Sequence, residues 1–168
     1  MDQSELLTDA FGRVRENVHS VLDGVPDDAL TWRPGEDANT IAWLLWHLTR
    51  VQDDHVADAA GHDQVWTAQG WSERFGLPFS AAATGYGHSS TEVGQVAVSA
   101  ELLAGYHDAV HDRTVQYVGG LDAADLDRIV DENWDPPVTL GVRLISVVSD
   151  DLQHAGQAAF VRGLYDAR

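Results

Sequence analysis

Apolar residues recur at the spacing of one helix face along four long stretches of this chain, and nowhere at the period of two that a half-buried strand needs. Residues 4–22 carry Leu6, Leu7, Phe11, Val14, Val18, Val21 and Leu22 on one stripe, up to Pro26 and a Trp-Arg-Pro-Gly turn at 32–35. Asn39 is expected to cap a second helix over 40–60, with Ile41, Leu44, Leu45, Leu48 and Val51 as its apolar stripe. Ser89 and Glu92 form a capping box that opens a third helix reaching Val118, where Gly119-Gly120 ends it. Thr139 caps a fourth, to about Tyr165. Residues 61–90, rich in glycine and aromatics, read as a long connection with one short helix near 67–75. A helical turn near 123–126 and a loop over 133–137 precede the last helix. The expected fold is all-α, a four-helix bundle with one long crossover loop, and 168 residues suit a single domain spanning 1–168.

Composition removes several functions. The chain has no cysteine, so disulfides, thiolate ligands and a cysteine nucleophile are out, and any metal must be held by His, Asp or Glu. Its net charge is −17 and it has no lysine, a surface that repels nucleic acid and anionic membranes alike. The first residues, MDQSELLTDAFGRV, lack the basic-then-apolar pattern of a signal peptide, and no stretch approaches the ~20 apolar residues of a membrane span, so a cytoplasmic protein is expected. No Gly-x-Ser-x-Gly elbow and no phosphate-cradling glycine loop is present.

What remains is a set of polar residues at the edges of apolar faces. Asp150 and His154 are spaced i, i+4 and therefore share a face of the fourth helix; His47 lies at the edge of the stripe of the second. Two imidazoles and a carboxylate from facing helices can hold a divalent metal and leave positions open for water or substrate. Asp151, at i, i+3 from His154 and nearer the centre of the apolar face, is an equal candidate by spacing. Trp43, Arg50 and Asp54 fall on the side of His47, where Trp43 and Arg50 could contact a cofactor and Asp54 could serve as a base. The same two charges also read as a plain Arg50–Asp54 pair on a solvated edge. His107 and His111, flanked by Asp108 and Asp112, read as a polar outer stripe; His55 fits either a pocket or the core edge; His19, His62 and His88 carry no pattern.

These residues resemble the DinB-like superfamily, in particular an actinobacterial branch related to the metal-binding domain of mycothiol-dependent maleylpyruvate isomerase. The resemblance rests on NTIAWLLWHL at 39–48, FGLPF at 75–79, TGYGH at 84–88 and DDLQHAGQAAFVRG at 150–163. It implies a four-helix bundle with a metal bound by His47, Asp150 and His154, which favours Asp150 over Asp151. Many members carry a histidine where this chain has Asp150, so the choice among zinc, nickel and iron stays open. The resemblance further implies a small thiol cofactor, such as mycothiol, whose thiol a metal with open positions would acidify.

The leading expectation is thus a metal-dependent thiol transferase or isomerase acting on a small-molecule substrate. A metal-dependent hydrolase using bound hydroxide and a non-catalytic metal- or ligand-binding bundle are the alternatives. Leftover apolar bundle faces would suit a homodimer. The aromatic 61–90 segment is expected to wall or cover the pocket, with Trp71 and Phe75 near the open end of the bundle.

Overall fold

The computed structural model describes residues 1–168. In chain order its elements are α1 (Gln3–Leu22), α2 (Asp27–Thr31), α3 (Ile41–Ala60), α4 (Val65–Ala68), α5 (Trp71–Phe75), α6 (Ser90–Gln95), α7 (Ala100–Val118), a 3-10 turn (Asp125–Asp127), β1 (Ile129–Asp131), β2 (Val138–Thr139) and α8 (Leu140–Asp166). The four long helices α1, α3, α7 and α8 form the bundle, with α3 and α1 each packed against both α7 and α8. No helix is long and apolar enough to cross a membrane.

Side-chain bonds fix the directions. His47 meets His154 while Arg143, at the other end of α8, donates to His55 on α3, so α3 and α8 run antiparallel. Thr49 pairs with His107 and Gln52 with Thr114, so α3 and α7 run parallel. Parallel neighbours need a long return, and the connection from Gly61 to Ser99 supplies it.

Caps set the helix starts. The hydroxyl of Thr139 accepts the Val142 N–H and starts α8. Thr40, one residue later than expected, accepts the Trp43 N–H and starts α3. The expected third helix is divided. The Ser89–Glu92 capping box forms, but α6 stops after Gln95; Val96 leaves helical geometry, its side chain is fully buried in the core, and Ser99 caps a new helix. Arg33 pins α6 by donating to the hydroxyl and carbonyl of Ser90. A two-stranded antiparallel hairpin, β1 with β2, joins the 3-10 turn to α8; strands of three and two residues are too short to show a period in sequence.

The core has two apolar parts. One gathers Val14, Val18, Leu44, Leu48, Leu103 and Ala155; the other gathers Phe11, Val56, Val118, Leu144, Val147 and Val148. Burying each large aliphatic side chain contributes about 1.5–3 kcal/mol. Between the two parts each of the four long helices but α1 places a buried polar side chain: Thr49, Gln52 and Asp53 on α3, Thr114 on α7, Asp151 on α8. This polar layer adjoins the level at which the candidate ligands emerge at the bundle edge.

Candidate metal centre

Burial and one short contact orient His47. Its ring stacks on Trp43 with centroids 4.6 Å apart and planes 16° apart, and its Nδ1 is bonded to the carbonyl oxygen of Thr84. Thr84 can come this close because Gly85 follows it. A Cβ there would lie 2.8 Å from His47 Nδ1 and 3.0 Å from Trp46, and its φ of +97° disfavours any L side chain. Burial lowers the His47 pKa, against the opposing pull of the Thr84 bond, so the ring is held neutral. A carbonyl can only accept, so Nδ1 carries the hydrogen and Nε2 is left with a free lone pair. That is how a ligating histidine is fixed.

α8 supplies the other two groups. His154 Nδ1 donates to Gln157 Oε1 at 2.9 Å, again freeing Nε2, which lies 3.6 Å from Asp150 Oδ1. The His47 and His154 rings are 4.9 Å apart in an edge-on arrangement. Taking one donor atom from each of His47, Asp150 and His154, all lie within 4.8 Å of one another. The second carboxylate oxygen, Asp150 Oδ2, is buried without a hydrogen-bond partner, a state that costs energy unless a cation or donor satisfies it. Two imidazoles whose Nδ1 atoms are turned to oxygens, together with an unsatisfied carboxylate, fit a divalent metal. Asp151 points elsewhere. It is fully buried in the polar layer, and desolvation, with a smaller push from Asp150, raises its pKa well above the usual carboxylate value.

His47 and Asp150 line a cavity of about 340 Å³ together with Val51, Asp54, His55, Thr84 and Tyr86. Through Asp54 and His55 it adjoins a larger cavity of about 650 Å³, walled by Asp58, Asp63, Asp131, Gln64, Thr67 and Arg143 among others. Asp54 accepts from Gln64 Nε2 at 2.7 Å and keeps one face in the pocket. Tyr86, 93% exposed, stands at the mouth.

Several expected residues are placed differently. Arg50 is not available to a cofactor. It is fully buried, and its guanidinium donates to the carbonyls of Ala81 and Ala83, to Gln64 and to Tyr106, so it anchors the loop that carries Thr84. Its ion-pair partner is Asp53, at 3.7 Å, not Asp54. Trp43 is nearly buried, and its indole N–H donates to His88 Nδ1; it supports the His47 ring from behind. Trp71 and Phe75 do not line the pocket; with Trp66 they surround Tyr106 in the core, and Thr84 and Tyr86 are the residues of the same segment that line it. His107 is not on an outer stripe but fully buried, while His111 is partly buried. The sequence signals no role for Thr84, Gly85, Tyr86 or His88 beyond the TGYGH string that contains them; a backbone carbonyl has no sequence signal except the glycine that lets it approach.

A bundle of long helices with two histidines and a carboxylate converging at one edge is the arrangement expected of a DinB-like protein. The chain belongs to the mycothiol S-transferase family, whose pattern it matches over residues 6–167. That family, rather than the isomerase, is the one the match supports. A similar solved structure is that of a conserved protein from Enterococcus faecalis, with 28% identity and a TM-score of 0.92 over 100% of this chain and 99% of that one. No curated protein matches the chain.

Proposed function

We propose that this chain is a metal-dependent S-transferase that joins the thiol of mycothiol to a small electrophile. The observation that carries the reading is the convergence of His47, Asp150 and His154 beside an open cavity, in a member of a mycothiol S-transferase family. A divalent metal there supplies a Lewis acid that lowers the pKa of a thiol at its free positions. The chain's own residues do the rest. Thr84 and Gln157 hold the two imidazoles as acceptor-ready tautomers. Asp54, in the cavity wall, is placed to take the proton that the thiol gives up. The sulfur then forms a bond to the electrophilic carbon, and the leaving group departs with the electron pair of the bond it breaks. A cysteine-free protein fits a reaction whose nucleophile comes from outside.

The adjoining cavity favours a particular kind of thiol. Asp54, Asp58, Asp63 and Asp131 give it carboxylates that accept from sugar hydroxyls and repel carboxylate-bearing thiols; its one arginine, Arg143, is already paired with Asp131 at 2.8 Å. A thiol with sugar hydroxyls and no carboxylate, as in mycothiol, suits that lining better than glutathione. Isomerisation through the same thiol is the neighbouring chemistry and would use the same three ligands.

Cobalt-substituted protein titrated with mycothiol tests the reading. Sulfur-to-cobalt charge-transfer absorbance in the near ultraviolet is expected, absent in His154→Ala and weaker with glutathione. If no thiol alters the cobalt spectrum, the thiol reading fails, and ester hydrolysis by the same protein then separates a hydrolase from a binding protein.

A further inference from the structure

A chain of charge −17 should turn charge to water on its outer helix faces. α1 does so: five of its nine exposed residues, Glu5, Asp9, Arg13, Arg15 and Glu16, are charged. α8, the longest helix, does not. Between Val142 and Leu164 none of its exposed residues carries a charge. Five of them, Val142, Ile145, Leu152, Phe160 and Leu164, are large apolar side chains exposed by 56, 59, 38, 67 and 38%. Helical spacing gathers them into one stripe opposite the buried face of Leu144, Asp151 and Ala155. Their exposed area is roughly 500 Å², towards the upper end of the largest apolar patch a monomer carries, a size that is often functional.

The same stripe holds glycines that the single chain does not require. A Cβ at Gly156 or Gly163 would meet nothing within 4 Å. Glycine in a helix interior is less favourable than alanine by about 1 kcal/mol, so these two positions weaken an isolated α8. A second helix lying on the stripe gives them a purpose, because it can approach the backbone closely.

We propose that this stripe is the interface of a homodimer in which two copies of α8 pack antiparallel across a two-fold axis. A pairing centred between Leu152 and Gly156 sets Leu152 on the partner's Gly156, Ile145 on the partner's Gly163 and Phe160 beside the partner's Ser149. At the centre of the contact large side chains thus fall on small ones, the self-complementarity that a two-fold contact requires. A standard interface buries about 800 Å² per partner, about two thirds of it apolar in homodimers, which the stripe's apolar area matches. Self-complementarity selects the occupant as a second copy, and the repulsion between two chains of −17 is least where the uncharged outer face of α8 meets its own copy. A groove of about 580 Å³ along this face is lined by Val142, Ile145, Ser149 and Asp150 among others, so the contact reaches the back of a candidate metal ligand.

Sedimentation equilibrium on the full chain tests this. The expected species has twice the 18.3 kDa chain mass and tightens as salt is raised, because screening relieves the repulsion. Ile145→Asp and Phe160→Asp should each weaken the dimer by at least about 100-fold, and Gly156→Leu should do the same by blocking approach. Far-ultraviolet circular dichroism of the first two should be unchanged, since both side chains are exposed. A monomer at about 100 µM, leaving the stripe for a different protein, overturns the proposal. So does a dimer that all three variants leave intact.

Discussion

His47, on α3, faces α8, and His107, on α7, faces α3; both are buried, one 6% exposed and the other fully enclosed. Each has Nδ1 committed to an oxygen: the Thr84 carbonyl for His47, the Thr49 hydroxyl for His107. The Thr49 hydroxyl gives its own hydrogen to the Leu45 carbonyl, so His107 must be the donor at Nδ1. Burial lowers the pKa of both, that of His107 to about 3. They differ in the second nitrogen. His107 Nε2 is buried with no partner, whereas the free side of His47 faces a carboxylate, a second imidazole and a cavity. Burial alone makes a histidine neutral; convergent donors and an opening are what would make it a ligand. The His107 region is structural by this account, and the His47 region is where the proposed chemistry belongs.

Three experiments break or sharpen that contrast. The largest effect is expected on acid stability. His107 has a folded pKa near 3 and an unfolded one near 6.5, so below 6.5 the unfolded chain takes up the proton first. Its contribution is intact above pH 6.5 and is lost progressively down to about pH 3, up to about 5 kcal/mol in all. Denaturant unfolding of metal-free protein across that range should give a shallower pH slope in His107→Gln than in the parent, while metal binding by the variant stays at the parent level. An unchanged slope would mean that His107 is protonated or reached by water in the folded chain.

Next in size is Gly85→Ala. The new Cβ cannot share space with His47 Nδ1 and Trp46, and the backbone is held at positive φ, so the loop must move. About 1–3 kcal/mol of stability should go. Because the Thr84 carbonyl moves with it, metal affinity should fall roughly 10–100-fold, measured by competition with a chelator. A stable variant with full affinity would remove Thr84 from the site. Smallest is Thr49→Val, which leaves His107 Nδ1–H without an acceptor and should cost about 1–3 kcal/mol of thermal stability with no change in metal affinity. If Thr49→Val instead weakens metal binding, the two histidine regions are not separate.

The bundle was legible because its evidence is local. Thr139 caps α8, and Asp150 and His154 are one turn apart whatever the tertiary structure does. What was not legible depended on which way a side chain turns once the chain is folded. Arg50 shares a side of α3 with His47 on a wheel, but its length lets the guanidinium reach back to the carbonyls of Ala81 and Ala83. His107 is flanked by Asp108 and Asp112 and reads as outward; Arg15 and His19 of α1 bond to Asp108 and turn that acid to the surface, leaving His107 inside. Val96 ends α6 because its side chain is drawn into the core, a demand set by helices distant in sequence. The choice between Asp150 and Asp151, equal by spacing, is a matter of some 100° around α8: one reaches the edge beside His47 and the other the polar layer.

That last difference carries the most direct test of the central claim. Purified parent, Asp150→Asn, Asp151→Asn and His154→Ala proteins, loaded with zinc, nickel or iron and freed of excess, are compared by elemental analysis. About one metal per chain is expected in the parent and in Asp151→Asn, and far less in Asp150→Asn and His154→Ala. A parent that retains no metal, or one whose metal is lost with Asp151 and kept without Asp150, would contradict the site described above.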